Sequence, residues 1–294
     1  MSSIQTAVRV IRQLQPEDLQ VLQAIEADMA RHRYVPENEL VRLTKLTPRE
    51  LDFRLPRLGK FRLIERWVGS YTGYVLYTAG YDCLAINALV KAEAIEALGK
   101  PLGVGKESDV YDALSPKGEQ VAVKFHRLGR LSFRATRRTR GYIANRHHIS
   151  WLYQSRIAAE REFQALKLVH AQQVAAPEPI SQNRHVVVMG KIEGAELAEF
   201  NEIPNAEKTL KEILANVRKT YVKAGIVHAD LSEFNIIMQP NWHTLILDWP
   251  QYVTRDQPNA EQLLERDVKN VVQFFKRKFK TKMTPEDALD LVRT

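Results

Sequence analysis

Apolar positions recur along the first third of the chain at helical spacing. Leu19, Leu22, Ile25 and Met29 lie three or four residues apart within 17–33, as on one face of an amphipathic helix. A second short helix is predicted over 37–44. The stretch TPRELDFRLPRLGKF then offers Thr47 as N-cap, Pro48 at the first helical position and Glu50 to complete a capping box, with Leu51, Leu55 and Leu58 facing inward. Pro56 removes a helical hydrogen bond at a cost of about 3 kcal/mol, so a kink or an early end is expected there. Two runs rich in aromatic and β-branched residues, LIERWV and YTGYVLYT, are joined through Gly69 and Ser70 and predict a β-hairpin.

Three helices followed by a hairpin is the layout of a winged helix, assigned here to residues 1–90. The segment YDCLAINALVKAEAIEAL, Tyr81 to Leu98, has no internal breaker and is predicted as one helix trailing that domain to about residue 98. Gly99 and Pro101 end it, and a second domain is placed at 99–294. That domain starts with a glycine turn, the strand QVAVKFH and a basic stretch to about residue 150. A helix IAAEREFQALKLVH, a strand HVVVMGKI, a helix over 206–224 and two short strands flanking Asn241 follow. Strands precede helices, so the class is α+β rather than parallel α/β.

Composition narrows the setting. A chain that is 45% hydrophobic and 27% charged has the profile of a folded, soluble protein. It shows neither an apolar run long enough to span a membrane nor a signal-peptide core, which predicts a cytoplasmic protein with no membrane partner. The single cysteine, Cys83, excludes an internal disulfide and a thiolate zinc cluster. A net charge of +8 suits polyanionic partners, nucleic acid among them.

The second domain carries the parts of a nucleotide site in chain order: glycines, a lysine, then carboxylate and amide oxygens. Gly103 and Gly105 in GVGKESDVY let a turn approach phosphates, with Ser108 able to donate. A Walker A loop is excluded, because Lys100 stands at its first glycine position and Glu107 where a hydroxyl is needed. Lys124 ends VAVK, one residue from the kinase V-A-I-K, although a lysine in a strand of period two can also simply face solvent. Its ion-pair partner is expected on the next helix, where Glu160 and Glu162 compete and Glu162 is favoured. In IVHADLSEFNIIM, Asp230 and Asn235 keep the D-x-x-x-x-N spacing of the kinase catalytic loop, with His228 two residues before the aspartate. Asp248 follows the apolar run TLILDW. Asp230 would accept or orient the proton of an acceptor hydroxyl, and Asn235 and Asp248 would offer hard oxygen ligands to Mg²⁺. His228 is expected to hold the loop rather than carry a proton.

These segments, with GKESDVY, REFQAL, LILDWPQYV and LLERDVKNVVQFF, resemble the RIO family of atypical serine/threonine protein kinases, and more narrowly its second subfamily, Rio-two. Ala229 and Trp249 stand where that family commonly has glycine and phenylalanine. The resemblance implies a bilobal, trimmed kinase-like domain, with an N-lobe at about 99–188 and a C-lobe at about 193–294, and no activation segment. It implies ATP as cofactor with Mg²⁺, or Mn²⁺ in its place. ATP would be held by Gly103, Val104, Gly105, Lys106, Glu107, Ser108, Val110, Lys124 and Glu162, with Met189 and Ile192 at the adenine. It further implies that Asp248 is itself phosphorylated during ATP turnover, in an ATPase-like switch on the precursor of the small ribosomal subunit and its rRNA. A protein substrate or autophosphorylation is the other outlet for the phosphoryl group. The short tail after the core points, by the same resemblance, to an archaeal origin.

Nucleic-acid candidates are Arg49, Arg54 and Arg57 in the winged helix and Arg134, Arg137 and Arg138 in the basic stretch. Two other functions compete. A small-molecule phosphotransferase of the aminoglycoside or choline kinase type shares H-x-D-x-x-x-x-N, but needs an acceptor-binding helical region where only Trp249 to Thr294 remain. A nucleic-acid-binding regulator with a degenerate kinase-like domain would not need to keep Lys124, Asp230, Asn235 and Asp248 together.

Overall fold

The computed structural model describes residues 2–128 and 151–294. The chain divides into two compact units, Met1–Glu93 and Ala94–Thr294. Arg134, Arg137 and Arg138 lie outside the described residues.

In the first unit, helices α1 (Ser3–Ile11), α2 (Pro16–Asp28), α3 (Glu37–Thr44), α4 (Pro48–Lys60) and α5 (Thr78–Lys91) surround a small antiparallel sheet. Its strands are β1 (Val35–Pro36), β2 (Ile64–Val68) and β3 (Thr72–Leu76), in the order β1-β3-β2. Thr47 and Glu50 form the expected capping box on α4, and Leu51, Leu55 and Leu58 are buried. Of the kink or early end expected at Pro56, the early end does not occur: helix α4 runs through to Lys60, its apolar face fixed on both sides of the proline by Leu51, Leu55 and Leu58. The helix expected to reach Leu98 stops at Lys91, with Glu93 in left-handed backbone (φ 55°). Residues from Ala97 pair instead with a neighbouring strand, and the ladder outweighs the helical preference of AEAIEAL. Helix α1 and strand β1 were not foreseen.

The second unit opens with a five-stranded antiparallel sheet of order β4-β5-β6-β8-β7. Its strands are β4 (Ala97–Val104), β5 (Ser108–Leu114), β6 (Gln120–His126), β7 (Pro179–Asn183) and β8 (Val186–Gly190). Helix α6 (Trp151–Ala171) packs on this sheet. Past β8 the chain becomes mainly helical: α7 (Ala206–Arg218), continued by a π-helical turn at Lys219–Lys223, α8 (Ala260–Phe279) and α9 (Pro285–Arg293). Two small sheets join these helices, β10 (Ile226–Val227) with β13 (Val253–Thr254), and β9 (Ala195–Glu196) with β11 (Ile236–Met238) and β12 (Thr244–Ile246). One apolar core runs from Ala159 and Leu166 on α6 to Val268 and Phe275 on α8, and it backs the loops that carry His228 and Asp248.

Candidate active site

Period-two alternation sends Lys124 and His126 from the same face of β6 toward α6. Lys124 Nζ lies 2.6 Å from Glu162 Oε1 and 2.7 Å from Asp248 Oδ1. His126 Nε2 lies 2.6 Å from the other oxygen of Glu162. Glu160, the competing glutamate, is exposed and pairs with Arg156 at 2.8 Å.

The two arms on Lys124 differ in exposure. The Glu162 side chain is 2% exposed, that of Asp248 45%. Burial alone would lower the Lys124 pKa, but the Asp248 and Glu162 carboxylates outweigh it and push it up. Burial likewise opposes the charge on Glu162 and on Asp248, yet Lys124 holds both carboxyls below their ordinary values. Lysine and both carboxylates are charged at neutral pH.

The segment after β10 is held from below by α8. Asp267 accepts the backbone N–H of Ala229 at 2.7 Å and of Leu231 at 3.3 Å, one on either side of Asp230. Asn270 Nδ2 donates to the Leu231 carbonyl at 3.3 Å, and Arg266 donates to that of Ala229. Burial pushes the Asp267 carboxyl up to about 6 against the opposing pull of Arg266 and the two N–H groups.

His228 ties this loop to the next. Its Nε2 lies 2.8 Å from the Leu247 carbonyl and its Nδ1 3.3 Å from the Asp230 N–H. A carbonyl partner requires N–H at Nε2, and an N–H partner requires a lone pair at Nδ1, so the ring is neutral. Burial, which lowers its pKa, acts the same way. Leu247 N–H also donates to the Asn235 carbonyl at 2.8 Å, so both sides of the residue before Asp248 are fixed. Ala229 and Asp248 both occupy left-handed backbone, φ 63° and 64°. Past Asp248, Trp249 is fully buried with Nε1 donating to the Ile246 carbonyl at 3.0 Å. Arg161 on α6 donates to the carbonyls of Pro250, at 3.0 Å, and Tyr252, and its guanidinium lies 4.5 Å from the Tyr252 ring centre.

The donor set fits a hard cation. Asn235 Nδ2 donates to the Asp230 carbonyl at 2.7 Å, which turns Oδ1 away as the available ligand atom. Asp248 gives one oxygen to Lys124, and its side chain is half-exposed, so the other could face a cation. One amide and one carboxylate suit Mg²⁺, which retains waters and takes phosphate oxygens.

Gly103 and Val104 end β4, Gly105, Lys106 and Glu107 form an exposed turn, and Ser108 begins β5, with its carbonyl accepting Gly105 N–H at 2.8 Å. A Cβ on Gly103 would meet nothing within 4 Å, and one on Gly105 only the Ser108 carbonyl at 3.3 Å. Packing within the chain therefore does not require either glycine. Val110 lies across from Lys124 in the β5–β6 ladder. Met189 is buried near the end of β8, and Ile192 is partly buried just beyond it.

Two of the arginines proposed for nucleic acid point elsewhere. Arg54 is 8% exposed and bonds Asp18 at 3.0 Å and Glu17 at 3.0 Å. Arg57 bonds Asp18 and the Gln13 carbonyl. Both clamp α4 to α2, because Asp18 is fully buried and needs cationic partners. Arg49 remains exposed on α4. The residues that sequence reasoning missed, His126, Arg161, Asp267 and Asn270, act through contacts between segments far apart in sequence. A histidine two places after the lysine was the one local sign of His126.

Residues 109–288 match the family model of the RIO domain, and 11–92 that of the Rio2 N-terminal domain. The chain is 44% identical over 254 residues to the RIO-type serine/threonine-protein kinase Rio2 of Methanocaldococcus jannaschii, covering 85% of this chain and 92% of that one. The chain belongs to the Rio2 family of RIO-type serine/threonine kinases. The Rio2 kinase of Schizosaccharomyces pombe is 35% identical over 300 residues, 97% of this chain and 86% of its own length. Among solved structures, the Rio2 kinase of Chaetomium thermophilum in an ADP/Mg²⁺–phosphoaspartate complex superposes with a TM-score of 0.82 at 32% identity, covering 96% of this chain and 88% of that one. The α+β class and the pairing of a Rio2 N-terminal domain with a RIO kinase domain agree with the sequence reading. Among the described residues no helix is long and apolar enough to cross a membrane.

Proposed function

We propose that this Rio2-family chain binds ATP with Mg²⁺ and transfers its γ-phosphoryl group, working in the cytoplasm as an ATP-driven switch on the precursor of the small ribosomal subunit. The observation that carries this is Lys124 held between Glu162 and Asp248, which places a fixed cation beside a half-exposed carboxylate.

Lys124 would hold the α and β phosphates, Gly103 to Ser108 would cover them, and Met189 and Ile192 would line the adenine pocket. Asn235 and Asp248 would hold Mg²⁺, which would supply neutralisation of phosphate charge. Asp230 would take the proton of an acceptor hydroxyl as that oxygen bonds phosphorus and ADP leaves. Where no hydroxyl is presented, the Asp248 oxygen that otherwise faces the metal would attack instead. The bond to ADP breaks, and water then hydrolyses the acyl phosphate. The related Chaetomium kinase, crystallised with a phosphoaspartate, supports that route for Asp248. Turnover of ATP with Mg²⁺ by the purified chain, compared with Asp230→Ala and Asp248→Ala, tests the reading. Unchanged turnover in both variants rejects it.

A further inference from the structure

Lys124 and His126 both end on Glu162, one on each carboxylate oxygen, at 2.6 Å each. All three residues are buried, with 7%, 2% and 1% exposure respectively. Facing a carboxylate, His126 Nε2 carries the hydrogen and donates it. The strand does not need this bond, since the backbone N–H of His126 is separately held by the His185 carbonyl at 2.9 Å.

Lys124 has a second carboxylate at 2.7 Å, that of Asp248, so its position is set by competition between two anions. A buried carboxylate oxygen without a donor is costly, and an unoccupied Oε2 would draw Lys124 across both oxygens of Glu162. His126 occupies that oxygen and leaves Lys124 a single contact with Glu162. The ammonium group is thereby kept turned toward Asp248 and the side where phosphates approach.

We infer that His126 is a positioning residue for nucleotide binding, whose N–H on Glu162 sets the reach of Lys124. This rests on the proposed role of Lys124 as the phosphate-binding lysine. His126 acts through Glu162 and bonds the carboxylate oxygen that Lys124 leaves free.

The test is steady-state ATP turnover with Mg²⁺ by the full chain, resolved into KM for ATP and kcat, with folding checked by thermal unfolding. His126→Leu keeps similar volume without a donor, and His126→Gln places an amide N–H near the reach of Nε2. His126→Asn keeps an amide that is too short. Loss of one hydrogen bond to a charged group predicts a KM raised about tenfold in the leucine and asparagine variants, with kcat within about twofold of wild type. Glutamine restores KM to within about threefold on the same scale. In the Glu162→Gln background, adding His126→Leu has no further effect on KM. A leucine variant with wild-type KM overturns the inference while leaving the site reading intact, as does an equal rise in the leucine and glutamine variants. If the leucine variant fails to fold, asparagine against glutamine decides: equal KM values overturn the inference. A wild-type chain that neither binds nor turns over ATP overturns both.

Discussion

The Asp267 carboxylate accepts the backbone N–H of Ala229 at 2.7 Å, so a helix far along the chain fixes the residue immediately before Asp230. The same carboxylate takes the N–H of Leu231, and the turn between hangs from one side chain.

Its titration gives a prediction with opposite signs for activity and stability. In the folded chain Asp267 titrates at about 6 against an ordinary 3.8. A carboxyl pKa raised by folding contributes stability that is full below 3.8 and is lost as pH rises through about 6. Protonation also replaces an acceptor oxygen by a hydroxyl beneath the catalytic turn. Turnover is therefore expected to fall as pH drops below about 6 while this residue's contribution to stability rises. Asp267→Asn should lower the activity plateau and remove that limb from the pH–rate profile.

Lys124→Met should abolish detectable ATP turnover and destabilise the chain. It takes the cation from the buried Glu162 carboxylate and leaves it the His126 N–H, for which about 3 kcal/mol is expected from comparable broken pairs. The half-exposed Asp248 arm adds little to that loss. Because Glu162 and Asp248 have lowered pKa values, the cluster's stability is present above their ordinary carboxyl range and is lost as pH falls through the depressed values. Chemical unfolding at neutral and acid pH, for wild type and variant, measures both effects.

Arg161→Ala should slow turnover without a comparable loss of stability. The side chain holds the carbonyls that follow Asp248, yet the residue is itself only partly buried. Loosening that segment misplaces the Asp248 carboxylate, and a kcat lower by about tenfold is expected. Thermal unfolding of the same variant should shift by only a few degrees.

The winged-helix arginines should separate by role. Arg54→Ala takes one of two arginines from the fully buried Asp18, leaving it Arg57 and the Gln15 N–H, and a destabilisation of about 2 kcal/mol follows. Arg49→Glu should leave thermal unfolding unchanged and weaken binding to single-stranded RNA. If Arg49 meets phosphate, the salt dependence of that binding also becomes shallower by about one counterion. Affinity insensitive to salt in the wild type would count against an RNA partner for this face.

Lys124, Asp230, Asn235 and Asp248 could be picked out as candidates from sequence because the chemistry proposed for them calls for local spacing. Asp230 and Asn235 share one turn, and Lys124 sits in a strand whose apolar neighbours mark it. His126, Asp267 and Arg161 could not be read that way, since each acts on a partner dozens of residues away and each residue type is common in its element. The same reason explains Arg54, which as a sequence letter was a surface cation and in the fold belongs to Asp18. The error at Leu98 is of another kind. AEAIEAL has helical preference, but the strand partners Leu114 for Ala97 and Ala113 for Leu98 become available only in the folded sheet.

Ala229 and Asp248 carry left-handed backbone without being glycine, which costs about 1–2 kcal/mol at each position. Both lie where His228, Asn235 and Asp267 bond the chain, so the surrounding fold holds a strained shape that these two residues would not adopt alone. The two turns thus behave as loaded springs. Cutting a restraint such as the Asp267 carboxylate would release them toward a relaxed backbone, and the active geometry would be lost before the domain unfolds.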